Sequence, residues 1–147
     1  MSGESNIAAV RAFVDAINAW DFDGMRDALD PDDFVFRIPF RPEGFPAEIR
    51  GRDVYVSFAE DWSKQLEGSE NLHDLVLDTL AGDPDQVVAF YKSDMRMKTG
   101  EPYRNTYVGH FRLRDGRITQ FDEYVDSIPL LLAAGGKVVD PPAPPGR

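Results

Sequence analysis

The second half of the chain is a run of β-strand patterns separated by short turn sequences. Strands are predicted over about Leu72–Leu80, Val87–Met97 and Tyr103–Arg114, and the segment "LRDGRITQFDEYVD" adds a turn and a fourth strand. The connections "AGDPD" and "KTGEP" are typical of hairpin loops. Because hairpin loops join strands that run antiparallel, this half of the chain is predicted to form one antiparallel sheet.

The first half of the chain is mainly helical. Apolar residues recur at helical spacing over 7–20, which predicts a helix with one buried face, and further helices are predicted over 21–29 and 53–66. Phe34–Ile38 is predicted as a short strand, and the prolines and glycines of "PFRPEGFPAEIRG" indicate a long loop. Helices followed by strands predict an α+β fold, in which three helices cover one face of a curved antiparallel sheet that encloses a pocket.

Length and charge limit the possible partners. A chain of 147 residues is one ordinary domain; we place it at residues 1–134 and predict a disordered, proline-rich tail over 135–147. The formal charge of −10 repels phosphate backbones and anionic lipid, so neither nucleic acid nor a membrane is expected as a partner. No apolar run reaches the roughly 18 residues of a membrane span and no signal sequence is visible, so a cytoplasmic protein is expected.

Composition also limits the chemistry. The chain has no cysteine, which excludes disulfides, thiolate nucleophiles and cysteine-based metal sites. Its two histidines, His73 and His110, are far apart in sequence, so no metal site and no cofactor is expected. Aromatic residues make up 12% of the chain, which is enough for a core and an aromatic-lined pocket.

Glu123 is an unusual residue for the centre of a half-buried strand, where β-branched or aromatic side chains are favoured. Its position relative to the preceding strand depends on the turn "RDG". A three-residue loop places Tyr107 opposite Glu123, whereas a two-residue turn places Val108 there. We prefer the three-residue loop, because it gathers Tyr103, Tyr107, Phe121 and Glu123 on one face.

A carboxyl among aromatic rings loses solvation, which raises its pKa towards the range in which it can give or take a proton. The pocket face of the strand before Tyr103 is predicted to carry Val87, Ala89, Tyr91, Ser93, Met95 and Met97. Glu123 is therefore predicted to be a general acid or base. The alternative is an exposed ion pair across the strands, with Arg112 or Arg37.

Two segments resemble a known family. "GFPAEIRGRDVYVSFAEDWS" and "YRNTYVGHFRLRDGRITQFDEYVDSIPLLLAAG" are similar to the SnoaL-like branch of the superfamily that holds ketosteroid isomerase, limonene epoxide hydrolase, scytalone dehydratase and nuclear transport factor 2. Within that branch the resemblance is closest to the phenazine-biosynthesis A/B proteins, and it covers about Ile7–Ala134. It implies a cone-shaped sheet around three N-terminal helices. It also implies that Glu123 matches a pocket acid and Tyr103 a pocket tyrosine.

The sequence departs from these relatives at two places. Phe58 stands where the phenazine A/B proteins carry a pocket histidine, and Tyr91 and Ser93 stand where limonene epoxide hydrolase places an arginine–aspartate pair. Both differences remove partners of Glu123. They therefore favour a plain proton transfer, or binding alone, over condensation or epoxide opening.

The predicted function is acid–base catalysis on a small apolar organic ligand, cyclic or polyketide-like, by a cofactor-free isomerase, cyclase or dehydratase. Glu123 moves the proton, and Tyr103 or Tyr107 polarises an oxygen, although both tyrosines are equally typical of a core. The substrate-binding residues are predicted to be Phe58, Trp62, Tyr91, Ser93, Phe121 and Arg37, the last of which also fits a solvated strand position. The alternative function is a non-catalytic ligand-binding or structural dimer.

Val88 and Phe90 interrupt the charged face of their strand. The resemblance places dimer contacts of relatives on that side of the sheet. A homodimer through the sheet is therefore predicted.

Overall fold

The computed structural model describes residues 2–139 and 146. Its helices are α1 (Gly3–Ala19), α2 (Phe22–Ala28), α3 (Arg52–Ser63) and α4 (Ser127–Ala133). Its strands are β1 (Val35–Arg37), β2 (Glu48–Arg50), β3 (His73–Leu80), β4 (Asp83–Arg96), β5 (Pro102–Arg114) and β6 (Arg117–Val125). The predicted helices and strands are present, with boundaries that differ by a few residues.

The six strands form one curved, open sheet in the order β2-β1-β6-β5-β4-β3. Neighbours are antiparallel except for β1 and β6, which run parallel. The α+β prediction is confirmed, but the sheet is mixed rather than wholly antiparallel. The pairing of β1 with β6 joins distant parts of the chain, so no local pattern reveals it. Strand β2 lies within the predicted loop, because three residues are too few to show alternation.

One face of the sheet, here called the inner face, packs against the helices. On β4 every second residue from Val87 to Met95 is buried, which confirms the predicted facing of that strand. Helix α1 crosses this face, and the ring of Phe13 lies edge-on to Phe111 at 6.2 Å and to Phe121 at 5.8 Å between ring centroids. Burying each such ring stabilises the fold by about 1.5–3 kcal/mol.

The turn between β5 and β6 differs from the preferred prediction. Asp115 and Gly116 form a two-residue turn, and both have positive φ, 53° and 77°, as a type I′ turn requires. Arg114 therefore pairs with Arg117, and the predicted three-residue loop was wrong. The short turn was the alternative reading of the same sequence.

A β-bulge then changes the register that this turn would set. Thr119 has no partner on β5, which shifts the following pairs by one residue. Gly109 lies opposite Glu123, so neither Tyr107 nor Val108 has the predicted position. Because Gly109 and Tyr107 are two residues apart on β5, Glu123 still faces the same side of the sheet as Tyr107. The predicted shared face is thus observed, but for a different reason.

Helix α4 begins directly after β6. The carboxylate of Asp126 accepts a hydrogen bond from the N–H of Ile128 at 3.1 Å, so it caps the helix. Of the predicted proline-rich tail, residues 140–145 and 147 lie outside the described residues. Among residues 2–139 and 146, no helix is long and apolar enough to cross a membrane.

Candidate active site

A cavity lies between the inner face of the sheet and the helices. Aromatic side chains form most of its wall: Trp20, Phe36, Phe45, Tyr55, Phe58, Trp62, Tyr103, Tyr107 and Phe121. The aliphatic part consists of Ile17, Met25, Ile38, Ala59, Met95, Val125 and Leu130. Two carboxyls, Glu70 and Glu123, complete the lining, and no lysine, arginine or histidine of the described chain belongs to it.

Glu123 is held at the cavity by its place on β6 and by one hydrogen bond. The hydroxyl of Tyr91 donates to Oε2 of Glu123 at 2.5 Å. The residue as a whole is half-buried, while its carboxyl lines the cavity and is surrounded by protein. Loss of solvation raises the pKa of Glu123 to about 7, and the Tyr91 hydrogen bond offsets part of the rise. Both protonation states are therefore populated near neutral pH.

Gly109 makes room for the contact between Tyr91 and Glu123. It lies opposite Glu123 on β5, under a layer of aromatic rings. A Cβ atom here would lie 2.8 Å from the ring of Phe111 and 3.3 Å from those of Phe121 and Tyr91. A larger residue would displace these rings, so close packing explains the glycine.

Tyr103 and Tyr107 belong to a hydrogen-bonded cluster on the inner face. The hydroxyl of Tyr107 lies 2.8 Å from that of Ser93 and donates to that of Tyr103 at 3.4 Å. The amide of Asn105 also donates to the Tyr103 hydroxyl at 2.8 Å. Burial raises the pKa of Tyr103 to about 12 and that of Tyr107 above its usual value, so both stay protonated. Tyr103 accepts two hydrogen bonds and donates none within the described chain, which leaves its proton available to a ligand.

Glu70 is a functional candidate that sequence reasoning missed. It lies in the loop between α3 and β3, outside every periodic segment, so no pattern marks it. Loss of solvation, followed by repulsion from the charge of Glu123, raises the pKa of Glu70 to about 8. Hydrogen bonding by the side chain of Trp62 offsets part of that rise.

The family of the chain follows from comparison with known proteins. Residues 10–121, more than half of the chain, match the family model of the SnoaL-like domain. The chain belongs to the SnoaL-like domain family. It is similar to the uncharacterized protein YesE of Bacillus subtilis (strain 168), with 31% identity over 105 residues that make up 69% of each chain.

Solved structures share this SnoaL-like fold. A proposed isomerase from Bacillus subtilis superimposes with a TM-score of 0.81 and 26% identity, covering 95% of this chain and 100% of that one. A phenazine biosynthesis-related protein from Pseudomonas aeruginosa has a TM-score of 0.77 and 19% identity, covering 99% of this chain and 89% of that one. The family resemblance seen in the sequence is thereby confirmed.

Within the SnoaL-like fold, six of the predicted site residues meet at the cavity: Glu123, Tyr103, Tyr107, Phe58, Trp62 and Phe121. Tyr91 and Ser93 lie behind this lining, where they contact Glu123 and Tyr107 respectively. They are supports of the site rather than part of its wall.

Arg37 does not reach the cavity. Its guanidinium lies 3.4 Å from the carboxylate of Glu48 and 3.7 Å from that of Asp122. Phe36 takes the inward position on β1, with its ring centroid 5.1 Å from that of Phe121, and alternation turns Arg37 to the opposite face. The predicted ligand contact by Arg37 therefore has no geometric basis.

The surroundings of the other polar groups agree with a site built on carboxyls and hydroxyls. His110 is 2.8 Å from the side chain of Gln86, away from the cavity. In the part of the chain that the structure describes, no three histidine or carboxylate side chains are grouped so as to hold a metal ion. Glu123 likewise forms no ion pair with a described residue.

Proposed function

We propose that this SnoaL-like protein is an acid–base enzyme that moves a proton on a small, uncharged, mostly apolar, ring-containing molecule. The reaction is that of an isomerase, cyclase or dehydratase. One observation carries the proposal: the carboxyl of Glu123 lines an aromatic cavity and has a pKa near neutrality. Such a group can accept a proton and return it at physiological pH. Similarity to the proposed isomerase from Bacillus subtilis supports this reaction class.

The residues around the cavity have distinct tasks in this proposal. Glu123 takes a proton from a carbon atom of the bound molecule, and Tyr91 orients the carboxylate through its hydrogen bond. Tyr103 polarises an oxygen of the substrate, because its hydroxyl proton has no acceptor in the described chain. The hydroxyl of Tyr107 is shared with Ser93 and Tyr103, which makes it a support for Tyr103.

Replacing Glu123 with Gln tests the proposal. The ligand is first found by thermal-shift screening of a metabolite library, and turnover of the hits is then followed by mass spectrometry. Glu123→Gln keeps the shape of the side chain but cannot carry the proton, so turnover is expected to fall by roughly 10²-fold or more. The matched control is Asp94→Asn, an exposed carboxylate that pairs with Arg104 at 3.0 Å. Full turnover by Glu123→Gln would refute the proposal.

A second candidate is ligand binding without turnover, or a structural role. It is favoured by the size of the cavity, about 80 Å³, against roughly 300–1,000 Å³ for typical ligand sites. A ring-containing molecule therefore enters only if side chains such as the half-buried Phe45 move aside. A hit that binds equally well to wild type and Glu123→Gln, and is recovered unchanged after long incubation, would favour this candidate.

We also propose that two copies of the chain pair through the outer face of the sheet. Val76, Phe90, Val108 and Tyr124 stand side by side across β3 to β6 and form an apolar row. Val76 is 59% exposed and Phe90 51%, so pairing would remove apolar surface from water. Light scattering should give twice the chain mass of 16.5 kDa, and Phe90→Lys should lower it. A wild-type mass near 16.5 kDa at micromolar concentration would contradict this pairing.

A further inference from the structure

We propose that Glu70 is a second proton-transfer residue of this cavity, which gives its proton to an oxygen of the bound molecule while Glu123 takes one from carbon. The inference rests on the proposed acid–base function and adds a residue and a substrate class to it. The class is an uncharged molecule with a carbonyl group next to an acidic C–H bond.

The loop that carries Glu70 is fixed on both sides. Before it, the hydroxyl of Ser69 donates to the backbone carbonyl of Asn18 at 2.8 Å. After it, Leu72 exchanges two hydrogen bonds with the side chain of Asn18, at 2.8 and 3.0 Å. The indole of Trp20 donates to a carbonyl of the same loop at 2.9 Å. A loop anchored in this way presents its one inward carboxyl in a fixed position, as proton transfer requires.

No positive side chain of the described residues lines the cavity with Glu70. The titratable groups that line the cavity with Glu70 come from three elements and are all acids: Tyr55 on α3, Tyr103 and Tyr107 on β5, and Glu123 on β6. Burial and the charge of Glu123 raise the pKa of Glu70 to about 8, above the value of about 7 for Glu123.

At pH values between these two pKa values, the two carboxyls therefore hold one proton, with Glu70 protonated and Glu123 ionised. This is the arrangement that acid–base transfer across one molecule needs, a donor and an acceptor in the same cavity. Tyr103 can polarise the same oxygen but holds its proton too strongly to transfer it, since its pKa is about 12. A carboxylate ligand would add a further negative charge to a cavity that no described cationic side chain lines, so an uncharged ligand is expected.

The step balances without another reactant. Glu123 takes a proton from the carbon next to the carbonyl, and the C–H electron pair forms a C=C bond. The carbonyl π pair moves to oxygen, which takes the proton of Glu70, and the product is an enol. If the enol is conjugated, Glu123 can return its proton to another carbon atom while the enol O–H returns its proton to Glu70. An isomer is then released, and both carboxyls regain their starting protonation states.

Titration of the carboxyls without ligand is the first test. We would follow the ¹³C resonances of labelled glutamate side chains and assign them with Glu70→Gln and Glu123→Gln. Wild type should show two steps, near 7 and 8. In Glu123→Gln the Glu70 step should move to lower pH, because the repelling charge is gone. Glu67→Gln, an exposed carboxyl of the same loop, should leave both steps unchanged.

The same titration can overturn the inference. Glu70 is excluded from the proposed role if it titrates with ordinary glutamates near ~4.3, or if its pKa is the same with and without Glu123. Wild type and Glu123→Gln are sufficient for this decision, so it holds even if Glu70→Gln fails to fold.

Deuterium exchange into β-tetralone, an uncharged ring ketone with acidic C–H bonds, is the second test. Wild type should accelerate exchange, with a rate that rises as Glu123 ionises and falls as Glu70 loses its proton. Each of Glu123→Gln and Glu70→Gln should lower the rate by roughly 10²-fold, and Glu70→Gln should also abolish the fall at high pH.

The outcomes of this test separate the two proposals. A wild-type rate and an unchanged high-pH fall in Glu70→Gln would overturn the role of Glu70 and leave that of Glu123 intact. Full exchange by Glu123→Gln would overturn the acid–base function itself. A wild-type protein that does not accelerate exchange would count against the carbonyl substrate class.

Discussion

Glu48 and Glu123 are the same side chain in two regions of one sheet. Glu48 lies on the edge strand β2, where Arg50 donates to it at 2.7 Å and Arg37 at 3.4 Å. The hydrogen bond from Arg50 is the main reason that the pKa of Glu48 is lowered. Glu123 faces aromatic rings and no cation of the described residues, so loss of solvation raises its pKa to about 7. The groups around a carboxyl thus decide whether its pKa is lowered or is raised to the range in which it can transfer protons.

The comparison extends to packing, where the largest difference is expected. The ring of Phe111 on the inner face is 1% exposed and that of Phe90 on the outer face 51%. Phe111→Ala should lower the free energy of unfolding by about 3–5 kcal/mol, because it leaves a cavity in the core. At protein concentrations at which the chain is monomeric, Phe90→Ala should change it by no more than about 0.5 kcal/mol. Urea denaturation measures both values, and equal losses would break the distinction between the faces.

The pH dependence of stability should have opposite signs for the two kinds of carboxyl. The folded pKa values of Glu123 and Glu70, about 7 and about 8, lie above the ~4.3 of an unfolded chain. At pH values between the unfolded and the folded pKa values, the unfolded state binds fewer protons than the folded state. Stability therefore falls as the pH rises. The pKa of Glu48 is lowered, so its contribution is instead lost as the pH falls.

The expected loss between about pH 6.5 and 8.5 is on the order of 3 kcal/mol. Thermal unfolding at the two pH values measures it as a lower midpoint on the alkaline side. The double variant Glu70→Gln/Glu123→Gln should show a much smaller change. An equally steep fall in that variant would assign the pH dependence to other groups.

Ligand charge offers a third way to compare the regions. At about pH 8.5 a tetralin carboxylate should bind about tenfold more weakly than β-tetralone, a difference of about 1.4 kcal/mol, because the cavity carboxyls repel it. Calorimetry gives both dissociation constants. The double glutamine variant should bind the two compounds more equally. Tighter binding of the carboxylate to wild type would show that a cation enters the site.

The smallest effect is expected from the hydrogen bond at Glu123. Tyr91→Phe removes the donor that stabilises the charged carboxylate, so the pKa of Glu123 should rise further, by up to about one unit, or about 1.4 kcal/mol. Side-chain NMR titration measures the shift. Tyr124→Phe on the outer face is the matched control and should leave the pKa unchanged. The same pKa in Tyr91→Phe would mean that the hydrogen bond has no electrostatic effect.

The facing of β4 could be predicted because alternation is a local signal. The position of Glu123 relative to β5 could not be predicted, because the extra residue at Thr119 has no local signature and the three-residue loop was preferred to the two-residue turn at Asp115. The turn and the bulge each shift the pairing of β6 with β5 by a whole residue. The two shifts together leave Glu123 and Tyr107 on one face, as the preferred loop had predicted.

Glu70 shows a stronger limit of sequence reasoning. Its position depends on hydrogen bonds to Asn18, more than fifty residues away in the chain, and its pKa depends on Glu123. Neither relation leaves a periodic pattern. The family resemblance identified the cone and the carboxyl on the last strand, whereas the second carboxyl required the folded arrangement.

The unpaired residue in β6 has a consequence for how this protein can vary in length. Side chains alternate along a strand, and Thr119 interrupts this alternation, since Ile118 pairs with Leu113 and Gln120 with Arg112. Deleting Thr119 would therefore close the bulge and leave Phe121, Glu123 and Val125 facing the cavity. A second deletion between the turn and Phe121 would have no bulge to absorb it and would turn these three side chains to the opposite face. The bulge thus lets this strand lose one residue without losing the carboxyl of the candidate active site.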